Sequence, residues 1–192
     1  MNKDLFRVRD TENFIRGYYI SERACDGLIE KFETSEQHRG LSDLGVVPEI
    51  KDCSELFVNM HDPDVRVQAY LDQLDLVIER YKQEFPYVDS GVDSWSLFEN
   101  FNLQKYEPGE AYHAWHYETA GMLTSFRHLT FMTYLNDVRD GGETEWFHQR
   151  LSVKPEKGLT VIWGATWETR HRGRTAVHEP KYIATGWYTF DR

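Results

Sequence analysis

After Gly91 the chain becomes a series of short β-like runs broken by turn residues, and this pattern restricts the fold more than any other feature of the 192-residue sequence. The candidate strands are Trp95–Tyr106, Ala111–Glu118, Arg127–Leu135, Glu143–Phe147, Leu151–Val153, Leu159–Trp163, Arg170–Val177 and Lys181–Phe190. Pro108-Gly109, Asn136-Asp137, Gly141-Gly142, Pro155, Gly158, Gly164 and Pro180 separate them. About eight such strands predict an all-β barrel or sandwich.

Helices precede the strands. Ser21 is a candidate N-cap for ERACDGLIEKFE, with Glu22 in the first turn, Ile20 stapled onto Cys25, and a buried stripe of Cys25, Leu28, Ile29 and Phe32. Asp62-Pro63 is the expected start of a second helix, whose apolar residues from Val67 to Phe85 recur at spacings of three and four until Pro86 ends it. Residues 37–52 have no clear period and read as a long loop, the kind that covers a binding site or runs over the surface. The reading is one domain, 1–192: helical support over 1–94, with the loop at 37–52, and a β-barrel over 95–192 that carries the site.

A net charge of −10 opposes binding to nucleic acid, whose affinity comes largely from basic residues on phosphates. The opening MNKDLFRVRD has no apolar core for a signal peptide, and no stretch approaches the ~18 apolar residues of a membrane span. The expected setting is cytoplasmic, or host cytoplasm if the source is viral, with no nucleic-acid or membrane partner. Two cysteines, Cys25 and Cys53, do not make a disulfide framework.

The chemistry concentrates at His116-Tyr117-Glu118. A histidine and a carboxylate two residues apart on a strand share a face, as do two of the three protein ligands of non-haem iron(II). By the same alternation Tyr112 and Ala114 join them, and His113 faces away. His61, His128, His148, His171 and His178 remain as sources of a second imidazole; His61 and His128, the latter in a strand of ordinary alternation, read as structural or surface residues. His171, within Arg170-His171-Arg172-Gly173-Arg174, taken alone reads more readily as a hydrogen-bonded structural residue than as a ligand. In the last strand Lys181, Ile183, Thr185 and Trp187 share one face. A lysine there either begins the strand at the solvent edge or, if buried, requires an anionic partner such as a ligand carboxylate.

YEPGEAYHAWHYE, RHLTFMTYLND, GGETEWF, PEKGLTVIWG and RHRGRTAVHEPKYIATGWYTF, in this order and spacing, resemble the prolyl 4-hydroxylase branch of the iron(II)- and 2-oxoglutarate-dependent dioxygenases, in the compact form found in viruses and bacteria. The resemblance runs from Phe98 to Phe190. It implies a double-stranded β-helix (jelly-roll, cupin-like) fold, mainly β with N-terminal helices packed on the outer face of the barrel. It implies His116, Glu118 and His171 as iron ligands and Lys181 as the partner of the distal 2-oxoglutarate carboxylate. It also implies Tyr106, Tyr134 and Thr144 around the cosubstrate and Trp187 on the far side of the site. The cofactors would be Fe(II), 2-oxoglutarate and O2, with ascorbate as a candidate reductant. The reaction would hydroxylate an unactivated C–H bond, first of all in a prolyl residue of a peptide or protein, and release succinate and CO2. A free amino acid or another small molecule is the alternative substrate. Loop 37–52 falls where the family has a substrate-covering segment, and the Arg170–Arg174 cluster is a candidate contact for a substrate carboxylate. One departure stands out: most of the branch has His-x-Asp, and this chain has His116-x-Glu118. From other classes, a zinc hydrolase or a non-catalytic cupin-like metal-binding protein would use the same triad without needing Lys181, Tyr106 and Tyr134 to converge.

Overall fold

The computed structural model describes residues 12–42 and 44–191, so the expectations placed on the opening MNKDLFRVRD lie outside the described residues. In chain order the elements are β1 (Arg16–Tyr19), α1 (Glu22–Glu33), β2 (His38–Arg39), β3 (Ser54–Val58), α2 (Val65–Glu84), β4 (Trp95–Ser96), β5 (Phe101–Tyr106), β6 (Arg127–Tyr134), β7 (Thr144–Trp146), β8 (Leu151–Val153), β9 (Leu159–Gly164), β10 (His171–Gly173) and β11 (Lys181–Phe190). The large sheet runs β1-β9-β6-β11-β5-β3-β2, with β4 on the far end of β11, and the small sheet runs β10-β7-β8. All pairings within both sheets are antiparallel. The two sheets make the double-stranded β-helix expected of the chain.

Strand alternation divides the core in two. Phe101 and Leu103 of β5, Leu129 and Phe131 of β6, Ile162 of β9 and Ala184 and Tyr188 of β11 form one cluster with the buried faces of both helices. Tyr106, Met132, Tyr134, Val161, Trp163 and Ile183, the intervening residues of the same strands, form a second cluster with Trp146 of the small sheet. The helices therefore cover one face of the large sheet while the other lines the barrel interior. Tyr70 of α2 pins this packing, since its hydroxyl hydrogen-bonds Thr133 Oγ1 at 2.9 Å, which in turn meets Thr160 Oγ1 at 2.8 Å.

The first helix follows expectation: Ser21 Oγ accepts from Ala24 N at 3.4 Å, and Cys25, Leu28 and Phe32 are buried. The second begins two residues later than expected. Its cap is Asp64, whose Oδ1 accepts from Arg66 N at 2.9 Å, while Asp62 Oδ1 accepts from Asp64 N one step earlier. Two consecutive Asx turns make the first look like a helix start in the sequence.

Three further expectations require correction. Residues before 95 are more than helical support, because β1, β2 and β3 are strands of the large sheet, and β2 lies inside the predicted loop. Ala111–Glu118 is not a continuous strand; it meets the rest of the fold through isolated bridges, Tyr112 to Lys51 and His116 to His171. In β6 the ordinary alternation breaks, because Tyr188 pairs with Leu129 and Thr189 with Arg127, leaving His128 as the extra residue of a bulge.

Candidate metal and cosubstrate site

A cavity of about 440 Å³ opens inside the barrel, lined along β11 by Lys181, Ile183, Thr185 and Trp187 and along β5 by Asn102, Gln104 and Tyr106. His116, Glu118 and His171 line it as well, and their ligand atoms all lie within 4.8 Å of one another. The bridge between residues 116 and 171 makes this meeting, with each backbone N–H donating to the other's carbonyl at 2.9 Å. A pair of bridged backbones sets two imidazoles side by side without a regular strand.

The donor set fits a divalent metal. Nδ1 of His116 is 2.9 Å from Ala114 O and Nδ1 of His171 is 3.0 Å from Thr169 O. A carbonyl can only accept, so each Nδ1 carries the proton and each Nε2 presents its lone pair, the arrangement that orients metal-binding histidines. Both Nε2 atoms face the same carboxylate oxygen, Glu118 Oε1, at 3.8 Å and 3.3 Å. Tyr112 stacks on His116 with ring centroids 3.6 Å apart, and Trp163 meets His171 edge-on at 5.0 Å, so packing also holds the rings. Burial, with His171 alongside, pushes His116 down to about 3, which keeps it neutral and able to ligate. For Glu118 burial acts to raise the pKa, but its polar and charged neighbours, His171, His116 and Arg127, outweigh it and hold the carboxyl at about 2.

Lys181 begins the strand yet is 3% exposed, which excludes the solvent-edge reading. Its Nζ donates to Gly142 O at 3.1 Å and lies 4.8 Å from the centre of the Tyr106 ring. Burial lowers its pKa to about 8 against the opposing pull of Glu143. Gly142 has φ of +76°, and a Cβ there would meet Pro155, Val138 and the Lys181 stem, so glycine is required beside the lysine. The ammonium is buried, and among the described residues no carboxylate is in hydrogen-bond contact with it, a site prepared for an anion.

The remaining expected residues divide. Tyr106 and Thr144 line the cavity, but the Tyr106 hydroxyl already donates to Gln104 Oε1 at 2.6 Å. Tyr134 does not line it; its hydroxyl donates to Thr144 Oγ1 at 2.7 Å and lies 3.2 Å from Val153 O, behind the wall. Trp187 lines the cavity at the metal end, where Nε1 donates to Glu118 Oε2 at 2.8 Å. Two of the arginines at 170–174 face carboxylates, Arg172 donating to Glu145 at 2.9 Å and Arg174 lying against Glu143 and Glu145, while Arg170 donates to the carbonyl of Trp115.

The sequence gives little warning of Lys51, Glu55, Asn102, Gln104 and Arg127 in the cavity wall. Lys51 Nζ donates to Glu55 Oε1 at 2.6 Å, and Gln104 Nε2 donates to the same oxygen at 2.7 Å. Leu41 of the loop closes on this pair, its N–H donating to Glu55 Oε2 and its carbonyl accepting from Lys51. The alternation of Cys53 and Glu55 against Leu56 and Val58 is the available signal for β3, but an acidic residue on the inward face disguises it.

Two histidines and a carboxylate converge inside a jelly roll, with a buried lysine in the same cavity, an arrangement able to hold a metal ion with an anion beside it. A family model described as the 2OG-Fe(II) oxygenase superfamily matches residues 101–189. Over that stretch, just under half of its length, the chain is similar to that superfamily. It is 28% identical over 116 residues to probable prolyl 4-hydroxylase 9 of Arabidopsis thaliana, a match covering 46% of this chain and 40% of that relative's length. Its fold is similar to a viral collagen prolyl hydroxylase from Paramecium bursaria Chlorella virus-1, solved with 2-oxoglutarate, at a TM-score of 0.69 and 20% identity over 94% of this chain and 98% of the other. It is also similar to a Trichoplax adhaerens prolyl hydroxylase solved with a hypoxia inducible factor peptide, at a TM-score of 0.74 and 16% identity over 98% and 93% of the two chains.

Proposed function

We propose that this chain is an iron(II)- and 2-oxoglutarate-dependent hydroxylase acting on a prolyl residue within a peptide or protein. The observation that carries the reading is that the Nε2 atoms of His116 and His171 converge on Glu118 Oε1 in the same cavity as the buried Lys181. The triad would hold the iron, and Lys181 the distal carboxylate of 2-oxoglutarate. Bound there, the metal and cosubstrate supply the oxidising chemistry, consuming O2 and releasing succinate and CO2.

The chain's own share is binding, orientation and exclusion of water. Lys181, charged at neutral pH, gives the cosubstrate carboxylate a charge-assisted hydrogen bond in a site screened from solvent. Thr144 and Tyr106 form the wall beside it, with Tyr134 fixing the Thr144 hydroxyl from behind. Leu41 and Ser42 lie across the cavity on the loop, which Lys51 and Glu55 anchor over the substrate side.

The charges favour a chain-internal residue over a free amino acid. Among the described residues that line the cavity, Lys51, Arg127 and Arg172 each face a carboxylate of the protein, and Lys181 is assigned to the cosubstrate. No cation is left for the carboxylate of a free amino acid. The hypoxia inducible factor peptide held by the similar Trichoplax adhaerens prolyl hydroxylase supports the same class.

The test is to incubate the protein with iron(II), 2-oxoglutarate, O2 and panels of prolyl peptides and free amino acids. The expected result is succinate release coupled to a peptide gaining one oxygen. Succinate coupled only to free amino acids would overturn the substrate class, and failure to bind 2-oxoglutarate would overturn the oxygenase reading.

A further inference from the structure

Glu118 departs from the aspartate usual at its position by one methylene, which gives its carboxylate an additional rotatable bond. Its two oxygens are nevertheless in different environments. Oε1 faces both imidazoles, while Oε2 accepts from Trp187 Nε1 at 2.8 Å and lies 3.6 Å from Arg127 Nη1. The Arg127 guanidinium stacks 3.4 Å over the Trp187 ring and is held from the other side by Glu99, with Nη2 donating at 2.7 Å and Nε at 3.2 Å.

A bulge brings Arg127 there. Thr130, Met132 and Tyr134 of β6 face the interior, so in a regular strand the even-numbered His128 would join them and Arg127 would point toward the helices. The extra residue reverses both. His128 turns outward, with Nε2 3.1 Å from Val88 O and its ring against Trp95, and Arg127 lines the cavity. Bulges that re-aim a side chain next to a site are a recurring device.

We propose that Arg127 and Trp187 are positioning residues that clamp Glu118 Oε2, so that the longer carboxylate presents Oε1 alone to a metal. The clamp rests on the metal-site reading given above. It acts through Glu118 and has no need of substrate, so the bound metal itself reports it.

The test is Co(II) titration of the full chain without 2-oxoglutarate, followed by calorimetry and by the visible absorption of the bound ion, for Trp187→Phe and Arg127→Met, with circular dichroism to verify folding. Each variant is expected to bind Co(II) roughly 10–100-fold more weakly, the usual effect of removing a partner that orients a ligand, and to alter the absorption bands as Oε2 becomes free to coordinate. Arg127→Lys is expected to recover part of the loss. In a Glu118→Ala background, Trp187→Phe is expected to cause no further loss, because no carboxylate remains to be positioned. An equal loss in both backgrounds would mean a merely structural tryptophan, and wild-type affinity and bands in Trp187→Phe and Arg127→Met would likewise overturn the clamp. Retained Co(II) binding in His171→Ala would overturn the metal site and the clamp together.

Discussion

Lys51 and Glu55 form an ion pair inside the cavity wall, with Nζ 2.6 Å from Oε1 and side chains 5% and 1% exposed. Each also holds the backbone of Leu41, so the pair ties the loop to β3. Removing one partner leaves the other charge buried, and Lys51→Ala is expected to cost about 3–5 kcal/mol of stability. Lys51→Met combined with Glu55→Leu should cost less than Lys51→Ala alone. Urea unfolding of the variants checks both, and equal stability of Lys51→Ala and wild type would mean that Glu55 is reached by solvent.

Lys181 sets a pH dependence whose sign follows from burial. Its pKa falls from the ordinary 10.5 to about 8, so in the cosubstrate-free protein the ammonium loses its proton near pH 8. Affinity for 2-oxoglutarate is expected to be full below that pH and to fall above it, and Lys181→Ala should abolish most binding while Co(II) binding persists. Below pH 8 the buried charge destabilises the fold, and the deficit is relieved as pH rises from 8 toward 10.5, because there the unfolded chain retains a proton that the folded one has lost. At ~1.4 kcal/mol per unit, Lys181→Met is expected to stabilise the cosubstrate-free protein at pH 7 by up to about 3 kcal/mol. Thermal unfolding with and without 2-oxoglutarate separates the two effects, since the ligand should stabilise only the wild type.

The sequence announces the residues that obey a local period and conceals those placed by pairing. The stripes of α1 and α2 and the inward row Lys181, Ile183, Thr185, Trp187 are legible because helix and strand spacings select one face. The strands β1 to β3 are not, because they are short and Glu55 breaks the apolar alternation on the inward face. His116 and Glu118 are found through strand alternation even though 111–118 pairs only through isolated bridges; what brings His116 to His171 is a long-range bridge with no local signature. Arg127 is hidden more deeply, since a bulge reverses the face that alternation assigns to it. Tyr134 shows the opposite error: it does face the interior, but Thr144 stands between its hydroxyl and the cavity.

Gly186 is required by packing on the helix side of β11. A Cβ there would lie 2.7 Å from Phe131 Cζ and 2.8 Å from Phe101 Cβ, both in fully buried side chains. Gly186→Ala is expected to cost about 1–3 kcal/mol by overpacking. Because the next residue, Trp187, holds Glu118, any displacement of the strand should also weaken Co(II) binding. Urea unfolding and metal titration measure the two consequences, and an unchanged midpoint would show that the rings yield.

The two tyrosines expected around the cosubstrate are separated by the fold, and their phenylalanine variants should differ accordingly. Tyr134→Phe removes the one hydroxyl that lies between Thr144 Oγ1 and Val153 O in a fully buried place, so the expected loss is about 1–3 kcal/mol of stability with 2-oxoglutarate affinity nearly unchanged. Tyr106 lines the cavity with its ring beside the Lys181 ammonium and its hydroxyl on Gln104 Oε1. Tyr106→Phe leaves that oxygen without its donor, loosens the link from Gln104 to Glu55 and the loop, and removes a hydroxyl within the cavity wall. A loss of about 1.4 kcal/mol would appear as roughly tenfold weaker 2-oxoglutarate binding. Calorimetric titration with 2-oxoglutarate, with Co(II) holding the metal position, distinguishes them. Tenfold weakening in Tyr134→Phe with none in Tyr106→Phe would put the cosubstrate against β6 rather than β5 and move the Lys181 assignment with it.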